Sequence, residues 1–270
     1  MLLLRVTSNN DRPAASSLLL DSYSAYRAYS LRKLRTAYAG NCIRVRRSSD
    51  NAEQDIGFSG NYLDTASLLS FIGVNSGYIT TVYDQSANAV NRVQTLAVRQ
   101  PRIVNAGALD LEGSFTKINF YNSSSMLLHN AGYMPSSASY SFFNVYKRTT
   151  NTSVLYVGGT NQFAWVSNPG DGASAFGQLT NGSNYNNGNS ITTTTRAQVV
   201  TALPTNTLLA HSCTNYTIGS WSNAWWFGGY NIVGGGFDWQ GSYLEEIIFQ
   251  GNSAADVAAI TTNQKTYYGL

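Results

Sequence analysis

"SYSFFNVYKR" occupies residues 139–148. Read as an extended chain, it sets Tyr140, Phe142, Asn144 and Tyr146 on one side and Ser141, Phe143, Val145 and Lys147 on the other. Aromatic and β-branched residues crowd this stretch, which is the composition of a strand. The same enrichment recurs in "YITTVYDQS" (78–86), "SVLYVGG" (153–159), "QFAWVSN" (162–168) and "SYLEEIIFQG" (242–251). Turn clusters such as "NPGDG", "TNGSN" and "NNGN" separate these runs. Strands punctuated in this way predict a sandwich or barrel over a βαβ fold. The expected class is all-β, a sandwich of two antiparallel sheets with a few short helices. The segment 180–196, "TNGSNYNNGNSITTTTR", is low in complexity and reads as a long loop or a polar edge hairpin.

Helix signals occur in three places. In "SAYRAYSLRKLRTAYAG" (24–40), Tyr26, Ser30, Leu34 and Tyr38 recur at four-residue spacing, and Gly40 is placed to end a helix. "LDTASLLSFIG" (63–73) opens on Asp64 as a cap and stops at Gly73. "SAADVAAITTNQKTYYG" (253–269) has Ser253 as cap, Asp256 in its first turn, and Lys265 and Gly269 at its end.

Composition narrows the function classes. Charged residues make up 11% of 270, with 17 basic against 14 acidic and a formal net charge of +3, too mild a balance for a nucleic-acid-binding face. The amino-terminal "MLLLRVTSNNDRP" has its apolar run broken by Arg5, short of the roughly 7 to 15 apolar residues of a signal peptide. With the chain starting at Met1, the expectation is a protein assembled in a cytoplasm without a leader. No stretch is apolar for long enough to predict membrane insertion. Cys42 and Cys213 allow one bridge at most and are expected to sit as small buried hydrophobes.

The charge that exists gathers in "LRKLRTAYAGNCIRVRRSSDNAEQDIGF" (31–58). Arg32, Lys33 and Arg35 are expected along the exposed arc of the first helix. In "CIRVRRSSD", alternation turns Ile43 and Val45 inward and Arg44 and Arg46 outward, with Asp50, Glu53 and Asp55 close behind as partners. A salt-bridged, solvated surface is the expected reading, with an anion or glycan site as the alternative.

That block carries a resemblance. "AYSLRKLRTAYAGNCIRVRRSSDNAEQDIGF", "LDTASLLSFIG", "ITTVYDQSANAVN" and "QPRIVNAG" follow one another as in the catalytic-domain family of the α-L-arabinofuranosidase B enzymes. They look still more like the divergent copies of that domain in bacteriophage and bacterial surface proteins. The match covers roughly residues 19–107 and returns in "GSYLEEIIFQG" (241–251). The resemblance implies a concanavalin-A-like, lectin-like jelly roll over residues 19–270, with residues 1–18 as an amino-terminal arm or edge strand.

The chemistry that the resemblance implies is only partly present. Retaining glycosidases need two carboxyl groups about 5 to 5.5 Å apart across the scissile bond. Between residues 114 and 237 the only acidic residue is Asp171. Where the family has its acid in a "GGDN"-like segment, this chain has "GGYN" (228–231), with Tyr230 at the acid's place. Asp238 is the nearest substitute. No catalytic residue is therefore assigned. His129 and His211 stand far apart without a Cys or carboxylate cluster, so no metal site and no cofactor are expected. In "YDQS" (83–86), Asp84 and Gln85 are expected to hydrogen-bond the turn that ends the strand. Glu245 and Glu246 are neighbours on a strand and are expected to differ in exposure, with Glu245 satisfying nearby backbone or Arg groups.

Recognition chemistry is best carried by "GSWSNAWWFGGYN" (219–231) and the residues up to 239. The candidate glycan-binding residues are Trp225, Trp226, Tyr230, Asp238 and Trp239, with Asn223 and Asn231 as further polar partners. The competing reading packs these rings in the sandwich core. The function expected from all this is a non-catalytic structural protein of a bacteriophage virion: a decoration, head-fibre or tail-fibre module. Such a protein would assemble in the host cytoplasm, form a homo-oligomer, contact other virion proteins and present a surface to glycans, with no nucleic acid bound. A glycoside hydrolase of arabinofuranosidase type, or a secreted lectin, is the alternative.

Overall fold

A computed structural model describes residues 18–122, 127–128, 138–151, 153–158, 162–167, 169–170, 172, 182–192, 195–217, 225–227, 239–251 and 256–270. Every strand pairing among the described residues is antiparallel, as the all-β reading requires.

The first sheet is built on Ser139–Arg148. On one side this strand pairs with the last strand, Gly241–Gln250, and on the other with Leu209–Thr217. The last strand pairs onward with Arg27–Ser30 and with Ile118–Phe120. Beyond Leu209–Thr217 the sheet ends in the hairpin Ser183–Asn186 and Asn189–Ile191, one of the two readings of the polar segment 180–196. Asn187 and Gly188 turn that hairpin with positive φ at both positions. Gly241 is required where it stands, because a Cβ there would lie 1.9 Å from the Lys147 carbonyl oxygen.

The second sheet runs from Glu53–Ile56 through Ile43–Arg47 and Gly77–Val82 to Arg102–Asn105. Arg92–Val93 leads from Gly77–Val82 to Leu127–Leu128, then Trp225–Phe227, Ser153–Gly158 and Gln162–Ser167. Ile118–Phe120 touches both sheets through Tyr243 and Arg102, so the two layers join along one edge. Between them lies the main core. Tyr140, Phe142, Tyr216 and Ile248 from the first sheet meet Ile43, Val45, Ile79 and Ile103 from the second.

The outer face of the first sheet is covered as well. The carboxy-terminal helix Val257–Tyr268 and the segment around Leu19, Leu20 and Leu34 pack on Ala28, Phe143, Ile247 and Phe249. A smaller cluster joins Tyr268 to Phe115, Val145, Ala210 and Leu244. That helix begins after Asp256; Ser253 lies outside the described residues. It ends at Gly269, whose φ of 71° is the left-handed cap that favours glycine. The helix Thr65–Ile72 forms as read, with Asp64 accepting the Ser67 amide at 3.0 Å and Gly73 closing it.

The long helix expected over 24–40 does not form. In its place is the strand Arg27–Ser30, and the helical turn Leu19–Ser22 lies before the segment. The reason lies in two long-range sets of bonds. Arg27–Ser30 pairs with the last strand, and the Gln85 side chain takes over the backbone beyond it. Gln85 accepts from the Leu34 amide at 2.8 Å and donates to the Ser30 and Arg32 carbonyls at 3.0 and 2.9 Å. A further helix, Arg196–Ala202, begins at the last residue of the segment read as loop or hairpin and runs beyond it. Its start is a capping box between Thr195 and Gln198, a legible T-x-x-Q signal.

Candidate functional site

The basic cluster divides in two. On Ile43–Arg47 the alternation is as read: Ile43 and Val45 are buried, while Arg44 bonds Glu53 and Asp55, and Arg47 bonds Asp50. These are half-exposed pairs of a solvated surface, each worth little individually. Arg32 is different. Expected on an exposed arc, it is instead 8% exposed, because residue 32 follows the strand Arg27–Ser30 rather than continuing a helix.

Arg32 meets Glu245. Its Nε and Nη2 donate to the two carboxylate oxygens at 2.6 and 2.8 Å, a bidentate arrangement. Ser30 Oγ donates to Glu245 at 2.9 Å, and Gln264 and Tyr268 of the terminal helix donate at 3.2 Å each. The guanidinium also lies 4.3 Å from the centre of the Tyr267 ring and donates to Asn263. Burial alone would lower the pKa of Arg32; the Glu245 charge and hydrogen bonds outweigh this and hold it above its ordinary value. Burial, reinforced by Glu245, drives the Tyr268 phenol far above its own.

Glu246 forms a second pair on the opposite face, with Arg92, whose guanidinium sits 4.6 Å from the centre of the Tyr29 ring. The two glutamates point to opposite faces, yet they do not differ in exposure: both are 0% exposed. The sheet is covered on both sides, so a strand within it has no wet face. A skipped residue, Leu244, lies between the pairings of Glu245 with Val145 and Tyr243 with Tyr146. This bulge turns Leu244 and Glu245 toward the same outer layer.

Asp84 bonds the turn that ends the strand, as read, whereas Gln85 bonds the distant backbone of residues 30–34 instead of that turn. Asp84 accepts from the amides of Ala28, Ser86 and Val90 and from Ser86 Oγ. Burial pushes its carboxyl up, and these hydrogen bonds pull against the shift. His211 is fully buried between Tyr146 and Asn184, and burial lowers its pKa to about 3, so the ring is neutral. His129 and Asp171 lie outside the described residues. Cys42 and Cys213 are buried and free, each thiol pushed up by burial. Among the described residues no group of three or more His, Cys, Asp or Glu side chains could hold a metal ion.

The glycan candidates are not brought together among the described residues. Trp225 and Trp226 lie on Trp225–Phe227, whose backbone pairs with Leu127–Leu128 and Ser153–Gly158. Tyr230 and Asp238, like Asn223 and Asn231, lie outside the described residues. Trp239 is a correction. At 1% exposure it belongs to the core, edge-on to Phe120 at 4.9 Å and to Tyr146 at 6.1 Å, and it offers no ring face to a ligand in solution.

Residues 22–121 match the family model described as alpha-L-arabinofuranosidase B, catalytic. No curated protein matches the chain. Solved structures do resemble it. A GH54 α-L-arabinofuranosidase soaked with a cyclic sulfate inhibitor superposes with a TM-score of 0.61 at 12% identity. A mutant of a GH54 α-L-arabinofuranosidase soaked with 4-nitrophenyl α-L-arabinofuranoside gives 0.57 at 12%. An arabinofuranosidase complexed with arabinofuranosyl-alpha-1,2-xylobiose gives 0.52 at 13%. Each likeness covers 88% of this chain and 62% of the other, so this chain spans less than two thirds of those proteins. At such identity the likeness establishes the fold, the jelly-roll sandwich expected from sequence.

Proposed function

We propose that this chain is a non-catalytic structural module built on an arabinofuranosidase-type sandwich and carried on a bacteriophage virion as a decoration, head-fibre or tail-fibre protein. The observation that carries the non-catalytic half is the state of the last strand. Glu245 and Glu246 are both withdrawn from solvent and each is neutralised by an arginine, Arg32 and Arg92. A nucleophile or acid must reach the substrate, and two glutamates locked in this way serve the fold instead. Tyr230 standing where the family has its acid supports the same reading. The virion half rests on the phage-like form of the block from 19 to 107 and on the low charge content of the chain. In this reading the protein forms a homo-oligomer, contacts other particle proteins through residues 1–18 and meets surface glycans through Trp225 and Trp226.

One observation favours a second reading, a glycoside hydrolase: the family match over residues 22–121 together with the shared fold. Purified protein incubated with an aryl α-L-arabinofuranoside separates the two. Aryl leaving groups need little acid assistance, so even a lone surviving nucleophile would release the phenol. Release at the background rate, together with the chain found in purified particles by mass spectrometry, is the expected result. Turnover abolished by Asp238→Asn would overturn it.

A further inference from the structure

Between the turn Leu19–Ser22 and the loop after Asp84 lies a half-open cavity of about 250 Å³. A water occupies about 30 Å³ of liquid, so the space exceeds one or two ordered waters and falls just short of a drug-sized pocket. The space is large enough for one small organic ligand. Asp21, Ser22, Tyr23, Ser24, Arg35 and Ser86 form its wall.

The wall is held in place before any ligand arrives. The Leu20 amide donates to the Leu34 carbonyl at 2.8 Å, and the Thr36 amide and hydroxyl donate to Asp21 at 2.8 and 2.6 Å. Ser86 Oγ donates to Asp84 at 2.8 Å, and Asn88 Nδ2 donates to the Tyr26 carbonyl at 2.9 Å. The segments that carry Arg35, Asp21 and Ser86 are thus tied to one another, the preorganisation a binding site needs. Arg35 is the one cation on the wall.

The charges select the ligand. Arg35 contributes one positive group and Asp21 one negative, so the wall has no net preference for an ion. Hydrogen bonds from Thr36 first, then from the Leu18 and Thr36 amides, hold the Asp21 carboxyl below its usual range, so it accepts and does not donate. Ser22 and Ser24 are exposed hydroxyls that can do either. Tyr23 is half-buried with its ring packed against the Leu19–Phe249 cluster, which leaves one apolar surface beside the polar ones. Donor, acceptor, hydroxyls and an aromatic ring in a neutral cavity of this size match a ligand with many hydroxyls and one apolar face. The geometry points to a binding site for a single neutral sugar residue, held by Arg35 and Asp21 beside Tyr23. It uses none of the residues of Trp225–Phe227.

Saturation-transfer NMR and calorimetry on the full chain test this with four probes. These are methyl α-L-arabinofuranoside, methyl β-D-galactopyranoside, methyl α-D-glucopyranoside and, as the charged comparison, glucuronate. At least one neutral glycoside is expected to bind. Arg35→Ala should weaken it about tenfold to a hundredfold, the worth of one hydrogen bond to a charged group. In a Trp225→Ala/Trp226→Ala background, which removes the glycan contact proposed above, binding should persist, and adding Ala87→Trp, at an exposed rim position, should abolish it by filling the space. If Arg35→Ala fails to melt cooperatively, Ala87→Trp alone decides. Failure of all neutral glycosides to bind, preference for glucuronate, or binding that survives Ala87→Trp would overturn the assignment. Hydrolytic activity, or absence from particles, would remove the virion reading and leave this one standing.

Discussion

Arg32 and Glu245, 213 positions apart in the chain, are joined by two parallel hydrogen bonds inside the protein. The pair connects the amino-terminal family block to the last strand, and through Gln264 and Tyr268 to the terminal helix. Removing one member leaves the other as an uncompensated buried charge. Arg32→Met is expected to cost about 3–5 kcal/mol in urea unfolding, and the double variant with Glu245→Leu to recover much of that loss. A single-variant loss under about 1 kcal/mol would show that water reaches the pair.

Gln85 should matter as much as a core residue. Its amide replaces helical bonding for residues 30 to 34, and truncation strands one donor and two acceptors of the backbone. Gln85→Ala is expected to destabilise by at least about 2 kcal/mol. Gln85→Glu should also destabilise, since it loses the two donated bonds. Hydrogen exchange at the Leu34 amide should rise in both. Unchanged protection there would contradict the role assigned.

His211 gives the fold an acid limit. Its folded pKa of about 3 lies below the ordinary histidine value of 6.5, so the unfolded chain binds a proton that the native protein refuses. Stability from this group is complete above pH 6.5 and is lost as pH falls toward 3. His211→Gln is expected to flatten the pH dependence of stability within that window, whatever its effect on stability at neutral pH. An unaltered slope would mean that other groups set the acid limit.

Trp239 should behave as a packing residue. Trp239→Ala removes a ring wedged between Phe120 and Tyr146 and is expected to cost about 3–5 kcal/mol by leaving a cavity. Trp239→Phe should cost less. Glycan binding by the folded Phe variant should equal that of the parent protein. A selective loss of binding would make Trp239 a contact residue after all.

Much of the sandwich is legible from local pattern. Alternation in 139–148 and 242–251, the Asp64 cap and the outward Arg44 and Arg46 all rest on neighbours within a few positions, where sequence spacing and geometry coincide. The order of the family block likewise announces the fold. Segment 24–40 departs from its local pattern because its four-residue spacing satisfies a helix locally, while the last strand and Gln85 satisfy its backbone from far away. Nothing within the segment records those partners.

The candidate site shows the same boundary. Sequence alone determined which residue types were available: few carboxylates after residue 113 and a run of tryptophans. Tertiary structure decided what could be done with them. A second covered face buried Glu245 and Glu246 alike, and the same packing took Trp239 out of reach of solvent. Alternation says which way a side chain points, but whether water or another layer lies there depends on chain that returns from elsewhere. The Arg35 cavity arises in that way, from three segments that meet only once the sandwich has closed.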